Sequence, residues 1–131
     1  MTTAELTTKF TRLESDLAAT RGPFALFALF LREDVPDRWD LIVSAPWASE
    51  NKVAALDYIV SRIQNDLGPD DLTQLSRIVF MDPQDESVQS LNRAINIEHG
   101  SVEMRDSVLF GLPIRHAFII TSKPPAMPVT K

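Results

Sequence analysis

The chain has 131 residues, 44% of them hydrophobic and 24% charged, which suits one folded domain rather than a disordered tract. Thirteen Lys+Arg against 18 Asp+Glu leave a formal net charge of −5, and no run of basic residues is present; that argues against nucleic acid or an anionic membrane as partner. There is no cysteine, so disulfides, thiolate metal sites and cysteine nucleophiles are excluded together, and a reducing, cytoplasmic setting is expected.

The opening residues, Met1 to Leu6, lack the basic-then-apolar pattern of a secretory signal. The longest apolar run, Phe24 to Leu31, falls far short of the ~20 residues of a membrane helix. Leu6, Phe10, Leu13 and Leu17 recur at helical spacing, and Gly22-Pro23 ends that first helix. The run Phe24–Leu31 has both a three-residue and a strand-like pattern. Its shortness, between Gly-Pro and Asp-Val-Pro-Asp, favours a strand buried on both faces. Trp39, Leu41, Val43 and Ala45 alternate with Asp40, Ile42 and Ser44, so a hairpin is expected with its loop at 33–37.

Ser49 reads as the N-cap of a long helix whose apolar positions are Val53, Leu56, Val60, Ile63 and Leu67, stopped by Gly68-Pro69. One further turn is expected over Asp70 to Leu75. Arg77 to Met81 is a short apolar strand, and Asp82-Pro83 reads as cap and first residue of a helix marked by Val88, Leu91 and Ile95. Val102 to Val108 and Ile114 to Thr121 are the last strands, joined by a turn-rich Leu109 to Pro113.

The expected fold is therefore α/β (or α+β) in the order αββαβαββ. It has a five-stranded mixed sheet, with an N-terminal helix and two crossover helices packed on it. Residues 1–121 read as a single globular domain and 122–131 as a proline-rich C-terminal tail.

Ligands in sheets with parallel crossovers favour the carboxyl ends of the strands. If the strands ending at Ala45 and Met81 and the strand carrying Asp106 ran parallel, one rim would gather Ser49, Asp82, Asp85, Asp106, Arg115 and His116. Asp82, Asp106 and His116 are the catalytic candidates, and Asp82, Asp85 and Asp106 the candidate ligands of a divalent metal. Each has a plainer account. Asp82 and Asp85 suit a helix start, Asp106 a solvated charge, and Arg115 and His116 point to opposite faces unless a bulge intervenes. Asp34 and Asp37 are turn residues. Asp40, on a buried strand face, needs a partner such as Arg32 or Arg38, and Glu103 and Arg105 should pair on one strand face.

No phosphate-binding glycine loop, nucleophile elbow or paired histidine spacing is present. The leading expectation is a non-enzymatic interaction or assembly domain that binds a protein partner or itself as a homo-oligomer. Trp39 and Trp47 are its candidate interaction residues, and no cofactor is expected. The alternative is a small metal-dependent hydrolase or phosphotransfer-type enzyme using the acidic rim.

Overall fold

A computed structural model describes residues 3–35, 37–68, 70 and 73–124. Helix α1 (Thr3–Arg21) buries Leu6, Phe10, Leu13 and Leu17 along one face. It stops where Gly22, at φ +123, donates its amide to the Ala18 carbonyl at 3.0 Å. The ambiguous apolar run is a strand. In β1 (Leu26–Arg32) the residues Leu26 to Phe30 are all buried, because β1 lies mid-sheet with helices on both faces. Strand β2 (Trp39–Ser44) returns antiparallel to it, with Leu29 opposite Leu41.

A five-residue helix α2 (Pro46–Glu50) precedes α3 (Lys52–Arg62), and the α3 cap is Asn51 rather than Ser49. Ser49 lies inside α2, which Pro46 starts, while Asn51 leaves helical geometry and its Oδ1 accepts the Ala54 amide at 3.1 Å. The buried face of α3 is Ala55, Ile59 and then Ile63, whereas Val53 and Leu56 are 73% and 38% exposed. Ile63–Leu67 closes as a π-helical turn whose last bond runs from the Gly68 amide to the Ile63 carbonyl. Of the turn expected over Asp70 to Leu75, residues 71 and 72 lie outside the described residues, and Leu75 belongs to the next strand.

Strand β3 (Leu75–Phe80) pairs parallel with β2, the only parallel pair of the sheet described. Helix α4 (Glu86–Ala94) is capped by Asp85, whose Oδ1 accepts the Ser87 amide at 2.8 Å. Asp82 instead closes the turn ahead of it, accepting the Gln84 amide at 2.7 Å, so the expected Asp82-Pro83 helix start moves on by one turn. Strands β4 (Val102–Leu109) and β5 (Leu112–Ser122) form a hairpin around Phe110-Gly111. Both turn residues have positive φ, 55° and 76°, as a two-residue turn between right-twisted strands requires.

The sheet order is β3-β2-β1-β5-β4. Helices α1 and α3 lie on one face over Phe27, Leu29, Leu41, Val43 and Ile120. Helix α4 lies on the other over Leu26, Ala28, Ile42 and Ile119. No helix among the described residues is long and apolar enough to cross a membrane. Ser122, expected to open the tail, instead closes β5 opposite Leu26, and the rest of the tail from 125 on lies outside the described residues.

Candidate functional site

The expected acidic rim is not assembled. Strand β4 does not run parallel to β3: it pairs antiparallel with β5 at the opposite edge of the sheet. The chain enters β4 at the end where β3 finishes, so Asp106 sits toward the other end. Four strand spacings of ~4.8 Å separate the two edges, placing Asp82 and Asp85 roughly 19 Å or more from Asp106. Ser49, Asp82, Asp85 and Asp106 are half-buried or exposed. Among the described residues no group of three His, Asp or Glu could hold a metal ion.

Asp106, Arg115 and His116 lie on one hairpin, where Arg105 pairs with His116 and Ser107 with Ile114. Both strands carry an irregularity there. Asp106 is left-handed at φ 49°, and relative to β1 the register skips Arg115, since Leu31 faces His116 and Arg32 faces Ile114. This bulge turns Ile114 onto the α4 face and leaves His116 on the α1 face.

The two tryptophans are packed within the monomer. Trp39 is 7% exposed, with its ring 5.7 Å from both His116 and Phe118. Trp47 is half-buried between Phe24, Tyr58 and the Arg21 guanidinium, and its indole donates to the Gly22 carbonyl at 3.0 Å.

Three polar clusters hold the elements in place. Asp40, 1% exposed, accepts Arg32 Nε at 2.9 Å and Arg77 Nε at 3.1 Å on one oxygen. Arg32 was an expected partner; Arg77 comes from the parallel neighbour, which hairpin reasoning does not reach. Glu14, on the buried face of α1, was missed altogether. Its carboxylate accepts the Thr121 hydroxyl at 2.8 Å and lies 2.5 Å from His99 Nδ1. A polar residue interrupting an apolar stripe was the available signal.

The third cluster is on the hairpin. Glu103 Oε2 meets His116 Nε2 at 2.6 Å and Arg105 Nη2 at 2.7 Å. The His116 hydrogen bond, then that of Arg105, holds the Glu103 carboxyl below its ordinary range. These groups line an open groove of about 450 Å³ with Thr3, Thr7 and Thr8 of α1.

Strand β3 is an edge of the sheet. Ile78, Val79, Phe80 and Met81 are consecutive apolar residues, all half-buried. Met81 donates to the Val43 carbonyl, so strand alternation turns Arg77 and Val79 toward β2 and the amides and carbonyls of Ile78 and Phe80 outward. Among the described residues nothing hydrogen-bonds to those outward groups. No bulge, proline or charge interrupts the stretch, whereas the β4 edge carries Glu103, Arg105, the left-handed Asp106 and its broken ladder.

The flank of α3 continues this surface. At about 100° per residue, Leu56, Val60 and Val53 lie roughly 60–120° round the helix from Ile59, and Tyr58 and Arg62 roughly 60–100° the other way. Tyr58 and Arg62 face α1, through Arg21 at 4.8 Å and Asp16 at 3.9 Å. Val53, Leu56 and Val60 therefore face away from α1, on the side of the sheet that carries Ile78 and Phe80. No family model, curated protein or solved structure matches this chain.

Proposed function

We propose that this chain is a non-enzymatic assembly domain that self-associates through its open β3 edge, as a homo-oligomer in a reducing, cytoplasmic compartment. The observation that carries the reading is the uninterrupted Ile78–Met81 edge, whose outward backbone groups have no partner among the described residues. An extended strand added there satisfies the backbone and buries apolar surface at once. Val53 and Leu56, two of the three exposed large hydrophobic residues among the described residues, extend the same surface. The net charge of −5 supports a protein partner over nucleic acid or an anionic membrane. A metal-dependent hydrolase or phosphotransfer reaction has less support, since Asp82 and Asp106 occupy opposite edges of the sheet.

Light scattering coupled to size-exclusion chromatography tests this directly. The full chain is expected above monomer mass, with the fraction rising with concentration. A strict monomer at high concentration overturns the reading.

A further inference from the structure

The geometry points to a site for one divalent transition-metal ion on His99 and Glu98, in the segment that links α4 to β4. Neither residue belongs to the acidic rim, and the site stands apart from the assembly reading. His99 is held at two points. Its backbone is left-handed, at φ 56°, and its amide donates to Thr121 Oγ1 at 3.1 Å. The Thr121 hydroxyl donates in turn to Glu14 Oε2 at 2.8 Å, and Glu14 Oε1 lies 2.5 Å from His99 Nδ1. An ionised carboxylate only accepts, so Nδ1 carries the proton and Nε2 keeps its lone pair. Metal-ligating histidines are set in this way, with a carboxylate behind the ring fixing its tautomer and orientation.

Charge and spacing agree with this. Glu14 is fully buried, and a buried carboxylate is costly without a compensating positive charge. Of the groups bonded to it, the Thr121 hydroxyl is neutral, and the His99 ring becomes cationic only when Nε2 takes up a proton or a metal ion. Glu98 favours the metal. Its Oε2 stands 3.6 Å from Nε2, too far for a good hydrogen bond. Two ligands about 2.1 Å from one tetrahedral ion stand roughly 3.4 Å apart, which fits that separation. Lys123 Nζ holds the other Glu98 oxygen at 3.0 Å, leaving Oε2 on the His99 side. The two side chains are 40% and 38% exposed, so an ion reaches them from solvent and water completes its coordination. An imidazole in the pair suits zinc and its neighbours rather than magnesium.

Calorimetric titration of the full chain with Zn²⁺, and with Mg²⁺ as control, tests the site. One Zn²⁺ per chain is expected, with no binding of Mg²⁺. His99→Gln and Glu98→Gln should each weaken Zn²⁺ at least about tenfold, and Glu14→Gln, which touches no metal, about 10–100-fold by loosening the ring. Glu98→Gln changes one atom of a half-exposed side chain, so its effect is not a loss of fold. The chain has only one other histidine, His116, whose Nε2 is bonded to Glu103; His116→Gln is expected to leave Zn²⁺ affinity unchanged. Absence of Zn²⁺ binding overturns the site and leaves a proton as the only charge on the ring. Full affinity in His99→Gln or Glu98→Gln, or its loss in His116→Gln, places the ion elsewhere and overturns the site as well. Full affinity in Glu14→Gln overturns the positioning role of the buried carboxylate.

Discussion

Glu14→Ala removes a carboxylate that lies fully buried between α1 and the sheet, where it accepts the Thr121 hydroxyl and meets the His99 ring. Hydrogen bonds to a charged group contribute about 1.5–3 kcal/mol each. The Thr121 contact, with both partners buried, belongs near the top of that range. The His99 side chain is 40% exposed, so water partly replaces its bond and its share is smaller. Alanine also opens a void, giving an expected loss of about 3–4 kcal/mol. Glu14→Gln keeps the volume and one acceptor oxygen, and is expected to cost about 1–2 kcal/mol. A domain of this size has roughly 7–20 kcal/mol in hand, so the alanine variant remains folded but clearly weakened. Urea unfolding with an unchanged m-value is the assay. A loss below about 1 kcal/mol for alanine, or equal losses for alanine and glutamine, would refute the assignment of Glu14 as the tie between α1 and β5.

The remaining expectations are shorter. Asp40→Ala leaves two guanidinium groups side by side without their shared carboxylate, and is expected to cost about 2–3 kcal/mol by urea unfolding, less than a sealed pair because Arg77 is half exposed. Glu103 is depressed in the folded chain, so its contribution is present above the ordinary carboxylate range and lost as pH falls through the lower folded value. Wild type should therefore exceed Glu103→Gln in stability at neutral pH, with the gap closing below about pH 4; a gap unchanged between pH 7 and pH 2.5 would refute this. Gly111→Ala places a side chain at φ 76° and should lose about 1 kcal/mol of thermal stability, in spite of the open space around it.

Periodicity recovered the elements where one face dominates and the flanks stop the chain. Leu6, Phe10, Leu13 and Leu17 with Gly22, and Phe24 to Leu31 between its prolines, became helix and strand for those reasons. Periodicity failed in α3 because two stripes compete there. Val53, Leu56 and Val60 are larger and more apolar than Ala55, yet the short α2 turn and the Asn51 cap set the phase so that Ala55 and Ile59 face the sheet. A small residue fits the close approach of α3 to the sheet, and hydrophobicity alone does not register that fit. The polar ties were out of reach for another reason. Glu14 meets Thr121 across 107 positions, and Asp40 meets Arg77 across 37, so neither pair has any local signature.

The acidic rim failed on strand order, and the same order explains why β3 is unusual. Read locally, Arg77 to Met81 describes an interior strand, apolar on both faces, of the kind found where parallel strands are covered above and below. Such a strand belongs beside two neighbours. Here the chain leaves β3 through α4 to the far edge of the sheet, and the hairpin β4–β5 fills the place next to β1 instead. An interior strand is thus left at an edge, while β4, with its alternating charges and left-handed Asp106, has the composition of a guarded edge. Local sequence and global position agree for β4 and disagree for β3. Consistency across levels is what a foldable sequence provides, and a lone mismatch marks where something else acts. A neighbouring strand on the open side makes β3 interior, which is what the proposed self-association supplies.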